Sequence, residues 1–390
     1  LACEKSQTAV TLAADRWLEN KLASDDNFCS DWLWMHNRWR AQGDPCRRLR
    51  IQSKRSILKE ALELRGLTSL PRTTPFVLRM PNWLGDVVMA LPLIRAMRAG
   101  RPDAAFTIMA QPGFVELLKR LGLGESWIEL PSKNLAYYWA IFRERARYPQ
   151  THILFTNSIR GDLEARILGA PQRFGLVRQG HPRPLLTDNL ELPTDFDLTQ
   201  CHQTHLWEKM LRRFGLEESI DYTPFKWTSA TELSDQTIVG LICGTENAPE
   251  KRWPVEHWRA FLEAALTAHP TVKFRLFGTL RDRALTTVIA QGLDPQRVED
   301  WAGRTDLLEF ADRLVECKAI VCNDTGGMHL ANALGVPVVA LYGPTNPVRT
   351  GPIFCTHKII IKAPDATVTG GGTMASIATE RVLEGLKEVL

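Results

Sequence analysis

The chain has 390 residues, of which 44% are hydrophobic and 24% charged, and a formal net charge of +4. That length exceeds what one core usually holds, so two domains and an appendage are expected; so small a positive excess gives no bulk electrostatic case for nucleic acid. No apolar run reaches the ~18–20 residues of a membrane span, and the eight cysteines (3, 29, 46, 201, 243, 317, 322 and 355) show no CxxC spacing, which fits a reducing cytoplasm better than a disulfide framework or a zinc site.

The first 75 residues differ from the rest. Residues 8–22 have helical apolar spacing, and residues 31–40 (DWLWMHNRWR) set three tryptophans among basic side chains. Residues 46–59 are strongly basic, and 71–75 read as a hinge. A Trp-rich basic helix suits an anionic membrane surface; a docking helix followed by a solvated basic linker suits the same residues equally well.

From residue 76 onward, strand-like and helix-like stretches alternate. Strands are expected at 76–80, 105–109, 126–130, 152–155 and 173–176, with an amphipathic helix at 87–98 and further helices at 113–120 and 160–168. A polar stretch at 223–235 precedes a second run of the same kind. That run has strands at 237–243, 273–277, 319–322 and 336–341, and helices at 255–268, 280–290, 307–316 and 376–390. Such alternation is the mark of a parallel sheet covered by helices on both faces. The expected organisation is therefore α/β, with two Rossmann-like doubly wound domains facing across a cleft and a helical N-terminal extension. The boundaries are 1–48 (extension), 49–75 (basic linker), 76–230 and 231–390.

Ligands of doubly wound sheets sit at strand C-terminal ends, and four loops there carry polar residues. In the first, Asn82, Trp83 and Gly85 form a turn and Asp86 begins a helix, where a carboxylate serves either as a helix cap or as a base. The second, residues 244–254, contains Thr245, Glu246, Lys251 and Arg252; the two cations suit a phosphate clamp or a surface charge pair. The third, residues 278–282 with Glu299, Asp300 and Gly303 downstream, is a weaker signal. The fourth runs from an apolar strand through Asp324, Thr325, Gly326 and Gly327 into helix formers and His329. A glycine turn opening a helix aims backbone N–H groups and the positive end of a helix dipole at one point, as a diphosphate requires. Asp324 is placed to hold a ribose hydroxyl and His329 to donate to a phosphate oxygen, although a lone histidine at that spacing is more often structural. An NAD-dependent oxidoreductase is disfavoured, because no GxGxxG follows the first strand of either run.

Three blocks, NWLGDVVMALPLIRAMR, GTENAPEKRWPVEHW and NDTGGMHLANALGVPVVALYGPTNPVRTGP, resemble in order and spacing the signature blocks of the ADP-heptose:lipopolysaccharide heptosyltransferases, glycosyltransferase family 9. The resemblance covers roughly residues 76–390 and implies a GT-B fold whose first domain takes the acceptor, whose second binds the nucleotide sugar, and whose last helix crosses back to the first. It implies an inverting transfer of heptose from ADP-heptose to the lipid A-core acceptor, without metal or other cofactor. Asp86 then matches the catalytic base and Lys251 the diphosphate-contacting lysine. Thr245, Glu246, Arg252, Asp324, Thr325, Gly326, Gly327 and His329 fall on the donor side, and Asn82, Trp83 and Gly85 on the acceptor-side loop. Gly327 stands where relatives often carry leucine or proline.

Within the first 45 residues, TLAADRWLEN and DWLWMHNRWR resemble the C-terminal tail of the lipid A biosynthesis acyltransferases. The chain, which begins at Leu1, is accordingly read as the C-terminal part of an acyltransferase–heptosyltransferase fusion, cytoplasmic and peripheral to the inner membrane. Alternatives are a family 9 transferase using another nucleotide sugar, and an inactive membrane-docked sugar-nucleotide-binding protein.

Overall fold

In a computed structural model, the chain divides into two units, residues 1–48 and 49–390. The residues described are 13, 14, 16–18, 20, 21, 24 and 25, then 74–101, 104–229, 236–246 and 248–390. In the first unit the described residues from 13 to 24 are helical, with a Lys21–Asp25 ion pair of 2.6 Å. The Trp-rich run, the basic stretch and positions 71–73 of the expected hinge lie outside the described residues; Thr74 and Pro75 open the first strand rather than a hinge.

The second unit holds two sheets of identical topology. Strands β1 (Thr74–Arg79), β2 (Ala104–Ala110), β3 (Ser126–Glu129), β4 (Thr151–Leu154), β5 (Gln172–Val177) and β6 (Asp188–Glu191) form an all-parallel sheet in the order 3-2-1-4-5-6. Strands β7 (Ile238–Ile242), β8 (Lys273–Phe277), β9 (Val298–Asp300), β10 (Ala319–Asn323), β11 (Val338–Tyr342) and β12 (Lys358–Lys362) repeat it, in the order 9-8-7-10-11-12. The strand order reverses between β1 and β4 and again between β7 and β10, and such switch points are where open parallel sheets leave a crevice for ligands. The three strands that have no counterpart in the sequence reading, β6, β9 and β12, are outermost ones. β6 alternates between half-buried and exposed side chains, β9 has three residues, and β12 offers only three isoleucines between lysines, so a long apolar run announces none of them.

Helices α1 (Leu84–Gly100), α2 (Pro112–Arg120), α3 (Tyr137–Arg143), α4 (Ile159–Leu168) and α5 (Gln203–Arg213) cover the first sheet; α3 and α5 were not foreseen. Helices α6 (Val255–Ala268), α7 (Arg283–Ala290), α8 (Leu307–Val315), α9 (Gly326–Ala333), α10 (Pro347–Thr350) and α11 (Thr379–Val389) accompany the second. The expectation that residues 87–98 form an amphipathic helix is corrected. Val87 to Ile94 are buried without interruption, and in α9 so is every residue from Gly327 to Ala333. A helix apolar all round needs cover on all sides, and α1 and α9 supply it by packing against each other as well as on their own sheets. One apolar cluster therefore runs from the first sheet through α1, α9 and α8 to the second, with Val88, Leu91 and Ile94 on one side and Met328, Leu330 and Ala331 on the other.

The last helix also departs from expectation. Val382, Leu386 and Val389 of α11 join a cluster with Trp258 and Phe261 of α6 and with Val339 and Leu341 of β11, so its apolar stripe is used within the second domain and does not cross back to the first. The linking segment instead ties the domains together: Phe225 N–H donates to the Ala333 carbonyl over 2.7 Å, and Arg95 donates to the Thr223 carbonyl over 2.8 Å.

Among the described residues, three histidines are buried. Burial pushes His152, whose two ring nitrogens have no hydrogen-bond partner among the described residues, down to about 3, and His202 and His329 to about 4. His202 Nδ1 accepts from Thr204 N–H, so its Nε2 is the nitrogen that donates to the Gly351 carbonyl across the domains. The unfolded chain binds these protons near pH 6.5 and the folded chain only at lower pH. The stability conferred by three neutral rings is thus complete above about pH 6.5 and is lost progressively toward pH 4, at about 1.4 kcal/mol per group per pH unit. Urea midpoints measured from pH 7.5 down to 4.5 are expected to fall steeply below 6.5, and His152→Leu to flatten that fall.

Candidate active site

The loop after β1 is held by a buried ion pair. Arg79, 2% exposed, donates through Nε to Glu164 over 2.7 Å, to the Met80 carbonyl, and through Nη2 to Asn82 Oδ1 over 3.1 Å; the Tyr137 hydroxyl donates to the other Glu164 oxygen. An arginine fork with a carboxylate on one side and loop acceptors on the other fixes both. Asn82 is thereby engaged in shaping the turn, Trp83 is 53% exposed beside it, and α1 begins at Leu84. Asp86 is the third residue of α1 rather than its cap. Burial raises its carboxyl above the ordinary 3.8, against the opposing pull of Arg178, Lys251 and Arg349.

Across from it, the loop after β7 is pinned to the loop after β10. Asn323 at the end of β10 donates to the Cys243 carbonyl over 2.7 Å and accepts from Trp253 N–H over 3.2 Å. This brings Lys251 Nζ to 2.8 Å from Asp324 Oδ2, with the aspartate side chain 5% exposed and the lysine 27%. The carboxylate expected to hold a ribose hydroxyl therefore holds the lysine. Arg252 turns the other way: it donates to Thr245 Oγ1 over 3.2 Å and to the Thr245 carbonyl over 2.6 Å, which shapes the loop. Thr325 caps α9, accepting from Met328 N–H.

The two loop systems touch through glycines. A Cβ on Gly326 would lie 2.8 Å from Leu84 Cβ and 3.1 Å from Gly85 N, and one on Gly85 would lie 2.9 Å from His329 Cδ2. A side chain at Gly326 would press on Leu84 and the Gly85 backbone, and one at Gly85 on the His329 ring. The N-terminal ends of α1 and α9 thus meet, and both direct the positive end of a helix dipole to the same region.

Beside this contact lies a cavity of about 590 Å³. Its wall includes Trp83, Gly85, Thr245, Glu246, Lys251, Asp324, Thr325, Gly326 and Gly327, nine of the residues expected from sequence. Asn82, Asp86, Arg252 and His329 stand outside that wall. His329, 4% exposed, is held neutral by burial and has its ring against Gly85 at the domain contact. The third loop supplies Gly278, Thr279 and Asp282, but Glu299 pairs with Arg275 over 3.0 Å and Asp300 accepts from Thr286 over 3.0 Å.

Sequence reasoning missed Thr305, Asp306, Leu307 and Phe310 of the wall; the Asp306…Glu309 capping box was the readable signal. It also missed Arg178, at the end of β5, and Arg349 of α10, both of which act electrostatically on Asp86. The Arg178 Nε is buried without a hydrogen-bond partner among the described residues. An apolar slot with Ile242, Leu307 and Phe310, joined to an ammonium and a helix N-terminus, has the chemistry to take a flat ring system and a diphosphate. Among the described residues no three His, Cys, Asp or Glu side chains form a group able to hold a metal ion.

The structure of the Escherichia coli ADP-heptose lipopolysaccharide heptosyltransferase II superposes with a TM-score of 0.70 at 24% identity, over 81% of this chain and 98% of that one. Two doubly wound domains that meet at their switch points are thus arranged as in the GT-B fold. Residues 150–367, more than half the chain, match the model of glycosyltransferase family 9 (heptosyltransferase). Lipopolysaccharide heptosyltransferase 2 of Escherichia coli K12 is 28% identical over 349 residues, 80% of this chain and 97% of its own length. Lipopolysaccharide heptosyltransferase 1 of Pseudomonas aeruginosa is 37% identical over 289 residues, 69% of this chain and 78% of its own. The chain belongs to glycosyltransferase family 9.

Proposed function

We propose that the enzyme transfers heptose from ADP-L-glycero-D-manno-heptose to the inner core of lipopolysaccharide, with inversion and without a metal ion. The observation that carries this reading is the meeting of Gly85 and Gly326, which sets Asp86 of one domain beside the Lys251–Asp324 pair of the other. In the proposed reaction the Asp86 carboxylate takes the proton of an acceptor hydroxyl. The freed oxygen attacks the anomeric carbon from the face opposite the nucleotide, the bond from that carbon to the diphosphate oxygen breaks, and ADP leaves with the electron pair. Lys251 and the N–H groups at the start of α9 stabilise the charge that develops on the diphosphate. Residues 76–230 then serve the acceptor and 231–390 the donor. Arg178 of the first domain and Arg349 of the second surround Asp86 with positive charge, which favours an acidic acceptor sugar.

The lipid-anchored acceptor implies work at the cytoplasmic face of the inner membrane; no helix among the described residues is long and apolar enough to cross one. Incubation with ADP-heptose and a delipidated inner-core acceptor, in the presence of EDTA, is expected to release ADP and add one heptose to the acceptor mass. Turnover with UDP-sugars alone would point to the other nucleotide-sugar reading, and turnover with neither to a binding protein.

A further inference from the structure

The first domain carries an aromatic face that its own core does not use. In α3, Tyr137 and Ile141 are buried, at 6% and 1% exposure, while Tyr138, Trp139 and Phe142 stand 39%, 62% and 52% exposed and Leu135 just before them is fully so. Large exposed apolar side chains gathered on one short element mark an interaction surface. The surrounding charge narrows the occupant. Residues 131–150 contain Lys133, Arg143, Arg145 and Arg147 against one acid, Glu144, which is taken up by Arg147. Arg143 lies over the Trp139 ring at 5.1 Å and Arg145 over the Phe142 ring at 6.0 Å, so aromatic bodies and cationic heads share one face. Exposed rings interleaved with arginines suit the headgroup level of a bilayer rich in anionic lipid, where the rings sit among the acyl-chain ends and the guanidinium groups reach phosphates.

The face is also linked to the site. Tyr137, on the inner side of the same helix, donates to Glu164, which holds Arg79, which in turn holds Asn82 of the turn before Asp86. We propose that the outer face of α3 docks on an anionic bilayer surface and thereby holds the acceptor-side loop next to a lipid-anchored acceptor. The proposal rests on the reading that the acceptor is a lipid.

The test uses the full chain in flotation with phosphatidylglycerol–phosphatidylethanolamine vesicles and with phosphatidylcholine vesicles, beside two variants: Trp139→Ser with Phe142→Ser, and Arg143→Glu with Arg145→Glu. The parent is expected to float with the anionic vesicles and not with the neutral ones, and each variant to lose most of that partition. Rates on a vesicle-embedded acceptor should fall with it, and rates on a delipidated acceptor should match the parent. Unchanged flotation of both variants, or a parent that binds neither vesicle, overturns the proposal. Equal loss of rate on the delipidated acceptor overturns it too, since the face would then serve the site or a protein contact instead. If the parent fails to glycosylate any acceptor, the functional reading falls, while the flotation arms still decide the docking surface.

Discussion

Asp86→Asn is expected to lower kcat by about 10²- to 10⁴-fold, the contribution of a positioned general base, and to leave ADP binding nearly intact. The variant keeps the size and polarity of the side chain but loses its proton-accepting charge. Asp86 is outside the wall of the cavity beside the glycine contact, so nucleotide affinity should not depend on it. Isothermal titration with ADP and single-turnover kinetics with donor and acceptor separate the two effects. Loss of ADP affinity in the variant would reverse the assignment of sides. The parent should also show a rising limb of kcat/KM with pH whose midpoint lies above 3.8, because burial disfavours the charged form of this carboxyl more than Arg178, Lys251 and Arg349 favour it. That limb should disappear in the asparagine variant.

Lys251→Ala is expected to reduce kcat/KM for the nucleotide sugar by about 10²- to 10³-fold, comparable to removing one donor from a site that stabilises developing charge. The ammonium is partly exposed, within reach of a ligand in the cavity, and oriented by a carboxylate that is almost completely buried. Truncation should therefore also lower stability by about 1–3 kcal/mol, the cost of leaving a buried polar group without its partner. The Lys251→Ala, Asp324→Ala double variant distinguishes the two consequences: denaturant midpoints should recover part of the loss, whereas the rate should not recover. A double variant as active as the parent would remove Lys251 from the proposed chemistry.

Strands with five or more buried apolar residues in a row were legible, and so were the glycine turns that follow β1 and β10. Their signal is local, and burial on both faces of a parallel sheet writes it as an uninterrupted run. Of the four outermost strands only β3 was legible; β6, β9 and β12 lack the long buried run. Partnership was harder still. Lys251 and Asp324 were each singled out, but their 2.8 Å contact depends on Asn323 joining two loops 70 residues apart, and nothing local in either loop encodes it. The same holds for Arg79 and Glu164, 85 residues apart. The helix from Leu84 was read as amphipathic because its second cover, α9, comes from the other domain. The family resemblance has the last helix of the second domain cross back to the first, whereas its own apolar stripe matches α6 and β11.

The contact between Gly85 and Gly326 has a mechanical consequence. In any relative rotation of two bodies, displacement grows with distance from the pivot, and two backbones touching without side chains between them form a natural pivot. Because that contact adjoins Asp86 and Lys251, a rotation of the domains about it would move their outer edges most, while those two side chains travelled on a short lever arm and kept their spacing.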